Sequence, residues 1–109
     1  DRAFWEARVA ERAKARWQLV IENKYAEAYQ FFSEASRQGL TVETFERQMR
    51  SVGVKSVTVK SVQCGAEQCQ ANLETVVEYA IPRIGRRSMP LPVDEVWVVS
   101  NKDAHIVRR

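Results

Sequence analysis

The hydrophobic pattern of the sequence changes its period once, close to Gly53, and this change constrains the fold more than any other feature. Before it, large apolar residues recur every three or four positions, which is the spacing of a helix face. After it, β-branched residues dominate and alternate with polar ones, which is typical of strands. The chain has 109 residues, enough for one core. We therefore predict a single α+β domain over residues 1–109, with helices in 1–51 and an antiparallel sheet in 54–109.

A first helix is predicted over residues 2–23 from one apolar stripe. Asn23 followed by Lys24 predicts a break or kink, so that the first half begins with two helices or one bent helix. The stripe consists of Trp5, Val9, Ala13, Trp17, Val20 and Ile21, and the opposite face, expected to be polar, carries Arg8, Arg12, Lys14 and Arg16.

The helical pattern resumes in a shorter helix over 25–32. A polar segment over 33–40 follows and holds Gly39, a natural C-terminal stop. Thr41 is then placed to cap a further helix that ends near Arg50.

The first strand begins after Gly53, and its inward parity slips. Val57 and Val59 share one face, whereas Val54 and Val62 share the other with Cys64. Such a slip indicates either a β-bulge or a strand buried on both faces, and the sequence does not separate the two.

The remaining sheet is predicted as three strands. Residues 69–79 alternate at period two, so one face of that strand is solvated. Residues 80–92 contain all three prolines and Gly85 and predict the connection of a wide hairpin. A third strand over 93–100 and a tight turn lead to a short last strand over 105–108, which makes about four strands in total.

Cys64 and Cys69 flank the point where the first two strands turn back on each other. Directly opposed residues of an antiparallel pair lie close enough for a disulfide. The pattern favours a structural disulfide, and with it an oxidising compartment such as a bacterial periplasm or the cell exterior. The alternatives are two reduced cysteines in a cytosolic protein, a redox pair, or half of a metal site, which is least favoured because closed zinc sites need four ligands.

The charges are nearly balanced, with 17 basic and 14 acidic residues and a net charge of +3. Basic residues gather at Arg83, Arg86 and Arg87 and again at Arg108 and Arg109. No aromatic residues alternate with them to stack on bases, so we predict a solvated loop and tail and no nucleic-acid partner.

No apolar stretch approaches the roughly 20 residues that cross a bilayer. The first residues lack the charged start and apolar run of a signal peptide. We therefore expect any export signal to be missing from this sequence, and membrane contact to arise only through an upstream anchor outside it.

The sequence offers little catalytic chemistry. His105 is the only histidine and is expected to be a surface or packing residue. Asp94 and Glu95 are adjacent on a strand, so their side chains point to opposite faces. There is no phosphate-binding glycine loop, nucleophile elbow or zinc-binding helix. We predict no catalytic residue, no metal and no cofactor.

Aromatic residues are the candidates for a binding pocket. At helical and strand spacing they are usually core residues, but they could also line an apolar pocket between the helices and the concave side of the sheet. The six pocket candidates are Trp5, Trp17, Tyr25, Tyr29, Phe45 and Trp97.

The spacing of the hydrophobic residues resembles that of the NTF2-like superfamily. Its fold is a cystatin-like α+β cone, in which a curved antiparallel sheet wraps around a long N-terminal helix. The helical half carries the likeness at Trp17, Leu19, Val20, Asn23, Lys24, Tyr25, Ala28, Tyr29, Phe31, Phe32, Ser33, Arg37, Thr41 and Phe45, and the final hairpin carries it at 95–99 and the strand that follows. The resemblance implies either an isomerase or dehydratase with acidic or histidine residues in the pocket, or a non-enzymatic domain that binds small molecules or proteins and is often dimeric. The enzymes' pairing of histidine and aspartate in the helical half is not recognisable here.

We therefore expect a non-catalytic, exported bacterial domain that binds a partner protein, or itself as a homodimer, with a small hydrophobic ligand in the cone. The expected interface is the outer face of the sheet, where the sequence places Glu74, Thr75, Val76 and Glu78.

Two alternatives remain at this point. One is a small pocket enzyme of isomerase or hydratase type, with Glu74, Glu78 or Asp94 as base and Tyr25 or Tyr29 polarising a carbonyl. The other is a nucleic-acid binder using the arginine loop, with steep salt dependence.

Overall fold

A computed structural model describes residues 1–108; Arg109, the last residue of the predicted basic tail, lies outside the described residues. Within these described residues, four helices precede four strands. The helices are α1 (Arg2–Ile21), α2 (Tyr25–Tyr29), α3 (Glu34–Gln38) and α4 (Val42–Arg50), and the strands are β1 (Val54–Cys64), β2 (Gln68–Ile81), β3 (Gly85–Val99) and β4 (Ala104–Val107). The predicted α+β class is confirmed.

The predicted break after α1 is confirmed at Asn23. This residue has a φ of 63°, a left-handed conformation that asparagine tolerates better than most residues. The backbone N–H of Lys24 donates to the carbonyl of Leu19 at 2.8 Å and closes the helix end. The turn redirects the chain into α2, so the two helices are separate. Thr41 caps α4 as predicted, since its hydroxyl accepts from the Thr44 N–H.

The arginines on the face of α1 opposite the apolar stripe are in contact with other parts of the protein. Arg16 is buried, and Arg12 is largely covered because its guanidinium lies over the Phe31 ring, 4.5 Å from the centroid. Arg8 forms two hydrogen bonds with Asp103, at 3.0 and 2.7 Å. The long arginine stems pack on the protein while their charged ends find partners, which a simple division of the helix into apolar and polar faces does not anticipate.

The sheet is an antiparallel meander in the order β1-β2-β3-β4. The pairing of β1 with β2 shifts register between Val54 and Ser56 and again between Val59 and Ser61. These two irregularities account for the slipped parity of β1. Of the two alternatives, a β-bulge is therefore the correct one and a strand buried on both faces is not. Segment 31–33 also joins the sheet edge, because Phe32 forms a parallel bridge with Ile106.

The prediction of a wide hairpin connection over 80–92 is wrong. Instead β2 continues to Ile81, a short turn follows, and β3 begins at Gly85. Pro90 and Pro92 lie inside β3, opposite Val76 and Glu74. Proline is tolerated at a sheet edge, and β4 pairs only with residues 96–99 of β3, which leaves an uncovered edge beside both prolines.

The helices cover one face of the sheet and leave its far end uncovered. From residue 79 to residue 92 every residue except Ile81 is exposed. We call this segment, the projecting end of the β2–β3 hairpin, the arm. It contributes to an elongated shape of 52 × 28 × 20 Å.

Candidate functional site

A cavity of about 310 Å³ lies between the helices and the inner face of the sheet. Helices α1 and α4 form one side of it, and β3 and β4 form the other. We call it the cone pocket. Its walls are mainly apolar, and its lining residues are Arg16, Trp17, Phe32, Leu40, Phe45, Gln48, Met49, Val93, Asp94, Glu95, Ile106, Val107 and Arg108.

Glu95 is a buried carboxylate at the inner end of this pocket. Its Oε2 accepts hydrogen bonds from the Trp17 indole at 2.8 Å and from Arg16 Nη1 at 3.2 Å. Its Oε1 accepts from the Trp97 indole at 3.1 Å. A carboxylate offers about four acceptor positions, so three donors occupy most of them and hold this side chain in place.

Arg16 is the partner of Glu95 and is equally buried, with both side chains 5% exposed. Its guanidinium carbon lies 5.3 Å from the Trp17 ring centroid and 5.0 Å from that of Phe32. Its Nε is buried and has no hydrogen-bond partner among residues 1–108. Burial lowers the pKa of Arg16 below its ordinary value, and the charge of Glu95 opposes that shift.

These geometries favour binding over proton transfer at Glu95. A general base must reach the proton that it removes and have a free acceptor position aimed at it. The carboxylate instead anchors two indoles and a guanidinium. The guanidinium is the less satisfied member of the pair, because within residues 1–108 it uses one of its five donors.

Sequence reasoning missed both members of this pair. Glu95 follows the inward parity of Val93 and Trp97, which is a signal that a strand pattern carries. For Arg16 the only signal is its position directly before Trp17 on α1. Its burial depends on the carboxylate that the sheet brings to it.

The structure places Trp17 and Phe45 in the cone pocket and Trp97 directly beneath it. Trp97 is completely buried and reaches the site only through its hydrogen bond to Glu95. Tyr29 packs beside Phe45, with ring centroids 6.0 Å apart.

Tyr25 and Trp5 lie away from this pocket. Tyr25 lines a groove with Met49 and Arg50 at the far end of α1. Trp5 lies beside the turn that follows Cys64. The six aromatic residues therefore do not line one pocket together.

The carboxylates and tyrosines considered for an enzyme are not brought together. The Tyr29 hydroxyl donates to the buried carbonyl of Leu40, and the Tyr25 hydroxyl donates to Asn23 at 2.8 Å. Glu78 forms an ion pair with Arg86, which lowers the pKa of Glu78. Glu74 lies on the outer face of β2, and Asp94 is an exposed residue at the pocket wall.

Cys64 and Cys69 form a disulfide, as predicted. They are register partners at the β1–β2 turn, and the Cys64 N–H donates to Glu6 of α1 at 3.0 Å. The bond therefore fixes the turn next to the first helix.

Within residues 1–108 no three histidine, cysteine, aspartate or glutamate residues group in a way that could hold a metal ion. None of the helices described in that range has the length and apolarity needed to cross a membrane.

The arm carries a second candidate surface. Tyr79, Met89 and Leu91 share the inner face of the sheet, because Met89 and Leu91 are the register partners of Val77 and Thr75. These three residues and Ile84 at the turn are exposed; we call them the arm patch. Thr75, expected on the outer face, is fully buried, and its hydroxyl donates to the Leu91 carbonyl at 2.9 Å.

Comparison with known proteins identifies the architecture. No protein-family model matches the chain, and no curated protein sequence matches it. Among solved structures 16 chains match. One is a Campylobacter jejuni protein, provisionally named an NTF2-like transpeptidase, with a TM-score of 0.58 and 5% identity over 89% of this chain and 94% of that chain. At that identity the likeness shows the fold alone, and the fold of this chain is NTF2-like.

Proposed function

We propose that this protein is a non-catalytic, extracytoplasmic NTF2-like domain that binds a partner protein through its arm. The observation that carries the proposal is the arm patch. Its four residues are 39 to 60% exposed, although three of them continue the same sheet face as fully or largely buried residues. Exposed apolar side chains grouped on one sheet face mark interaction sites in soluble proteins.

The charge around the arm patch favours a partner with an acidic rim. Arg83, Arg86 and Arg87 lie at the tip of the arm, and Glu78 balances one of them. Two copies packed arm on arm would bring both sets of arginines into one interface, where like charges repel. Pro90 and Pro92 also hinder pairing of two β3 edges, since proline lacks the N–H that a ladder needs. The proposed partner is therefore a different protein with an acidic surface. The experiment described below would also detect a second copy of this chain.

The absence of suitable chemistry in the cone pocket supports a non-catalytic role. The name of the Campylobacter jejuni protein points to transpeptidation, a group transfer that commonly uses a serine or cysteine nucleophile. Among the described residues that line the cone pocket there is no serine, cysteine, threonine, lysine or histidine. The buried carboxylate there is held by three donors.

The disulfide supports an extracytoplasmic location, because such bonds persist in oxidising compartments and are rare in the cytosol. Isolation of the native protein in the presence of an alkylating agent tests this: the proposal predicts two unlabelled cysteines, and labelled thiols would contradict it.

The arm is tested by site-specific photo-cross-linking in cells that naturally make the protein. A photoreactive residue is placed at Leu91 in the arm patch, and a matched one at Gln70, an exposed residue of the outer sheet face. We expect a discrete adduct of higher mass from Leu91 alone, and its loss when Met89→Asp is added. An adduct of twice the protein's mass would identify a second copy instead. No adduct at Leu91, or equal adducts at both positions, would refute the proposed role of the arm.

A further inference from the structure

The two neighbouring arginines near the tip of β3 lie on opposite faces of the sheet. Arg87 is the register partner of Tyr79, and Arg86 is the register partner of Ala80. Side chains alternate between the two faces of a strand. Tyr79 has the same parity as Val77, which is buried on the inner face of the sheet. Arg87 therefore lies on the inner face with the arm patch, and Arg86 lies on the outer face.

The outer arginine already has a carboxylate partner. Its guanidinium forms an ion pair with Glu78, the outer-face residue that lies two positions from its register partner on β2. The ammonium group of Lys55 lies 3.7 Å from the same carboxylate oxygen. This carboxylate therefore serves both cations of the outer face, and the protein itself compensates the charge of Arg86.

The inner arginine has no carboxylate partner among residues 1–108. Within that range its guanidinium makes one hydrogen bond, in which Nη1 donates to the carbonyl of Arg86 at 2.9 Å, so it uses one of its five donors. Tyr79 lies directly opposite on β2, and Met89 is the next residue of β3 on the same face. Neither side chain carries a negative charge. Arg87 is exposed, and it therefore places an uncompensated cation at the border of the arm patch.

Such a cation selects a partner by charge as well as by apolar contact. A guanidinium and a carboxylate match in planar geometry and form charge-assisted hydrogen bonds. Complementary charges set the specificity and the orientation of protein interfaces, and arginine and tyrosine are enriched among the residues that dominate binding energy. The surface that fits the arm therefore has apolar side chains with an aspartate or a glutamate beside them.

We propose that the partner protein docks on the inner face of the arm and places an aspartate or glutamate carboxylate against Arg87. Its apolar side chains then cover Tyr79, Met89 and Leu91. This inference rests on the proposed function and adds to it the docking face and the residue that recognises the partner's charge. Arg86 takes no part in this recognition, because Glu78 already holds its guanidinium.

Matched single substitutions test the role of Arg87 in the photo-cross-linking experiment at Leu91. Arg87→Gln and Arg86→Gln each remove one exposed guanidinium from neighbouring positions. We expect Arg87→Gln to lower the yield of the partner adduct about 10-fold, and Arg86→Gln to change it by less than about 2-fold. Circular dichroism should show the same fold for both variants.

The outcomes separate this inference from the proposed function. An undiminished adduct in Arg87→Gln, or equal losses in both variants, would overturn the role of Arg87 and leave the binding role of the arm intact. No adduct in the protein that carries only the photoreactive residue would refute both.

Carbodiimide coupling detects the carboxylate directly, because the reagent joins an amine to a carboxylate in contact with it through an amide bond. Arg87→Lys keeps the positive charge and supplies the amine, and Arg86→Lys is the matched variant. In the natively recovered complex, mass spectrometry should find position 87 joined to an aspartate or glutamate of the partner and position 86 joined to Glu78 of its own chain. The reversed pattern, or no partner peptide at position 87, would contradict the proposal.

Two other occupants of the arm have distinct signatures. Coupling of position 87 to a peptide of this chain, in an adduct of twice the protein's mass, would identify a second copy. Binding of the purified protein to vesicles of phosphatidylglycerol but not of phosphatidylcholine, with loss of binding in Arg87→Gln, would identify the phosphates of a membrane surface. Either result would overturn the proposed partner.

Discussion

Replacing either member of the buried Arg16–Glu95 pair should destabilise the protein strongly and unequally. Removing one partner of a buried ion pair generally costs about 3–5 kcal/mol, because the other charge is left uncompensated. After Arg16→Met, Glu95 still accepts from both indoles, which places the loss near the lower end, at about 3 kcal/mol. Glu95→Gln leaves the guanidinium uncompensated and presents an amide N–H₂ to at least one of the three donors. We therefore expect a larger loss, about 4 kcal/mol.

The double variant Arg16→Met/Glu95→Gln removes both charges together. Replacement of a whole buried pair by neutral residues is often well tolerated. We expect the double variant to lose at least about 2 kcal/mol less than the sum of the single variants, which is a coupling typical of directly contacting residues. Since single domains are stable by only about 5–15 kcal/mol, each loss should be a large fraction of the total.

The assay is urea unfolding followed by far-ultraviolet circular dichroism, which does not depend on the tryptophans beside the pair. The exposed ion pair between Glu46 and Arg50 of α4, with an N–O distance of 3.0 Å, is the matched control. Glu46→Gln, which breaks this pair but keeps Arg50 over the Tyr25 ring, should change stability by about 0.5 kcal/mol or less. Single losses below about 1 kcal/mol at Arg16 and Glu95, or additive losses, would refute the reasoning that the pair is desolvated and coupled.

Three further outcomes follow from the structure. Cys64→Ser/Cys69→Ser, or reduction of the wild-type protein, should cost about 2 kcal/mol in urea unfolding because the closed loop is short; no change would show that the bond does not constrain the unfolded chain. The hydrogen bonds from Arg8 are the main cause that lowers the pKa of Asp103 to about 2. This partly exposed carboxylate therefore contributes stability above pH 4 that is lost as the pH falls towards 2. Asp103→Asn should lower the free energy of unfolding by about 1 kcal/mol at pH 7 and by little at pH 2. An equal effect at both pH values would contradict this. Burial lowers the pKa of His105, so an NMR titration should find it below the ordinary value of about 6.5, and a value above that would contradict the burial of its ring.

The sequence was sufficient for features that depend on local chemistry. The break at Asn23, the Thr41 cap and the change of period at Gly53 each follow from conformational preferences of neighbouring residues. The facing positions of Cys64 and Cys69 follow from the short turn between them. None of these needs information from distant parts of the chain.

Features that depend on distant partners could not be predicted in the same way. Pro90 and Pro92 appeared to end a strand, but β4 is too short to cover that edge of β3, and proline is tolerated there. Arg16 appeared to lie on a polar helix face because its carboxylate partner is 79 positions along the chain. The cone pocket has the same origin, since its charged residues become neighbours only when the sheet closes against α1.

Amide hydrogen exchange shows whether the arm is the surface that binds a partner protein. It is measured on the purified protein alone and on the complex recovered natively from its own cells. Binding through the arm predicts slower exchange on complex formation within residues 79–92, with little change in the outer-face positions of β1. Unchanged exchange in the arm, together with protection at the outer sheet face or at the mouth of the cone pocket, would contradict it.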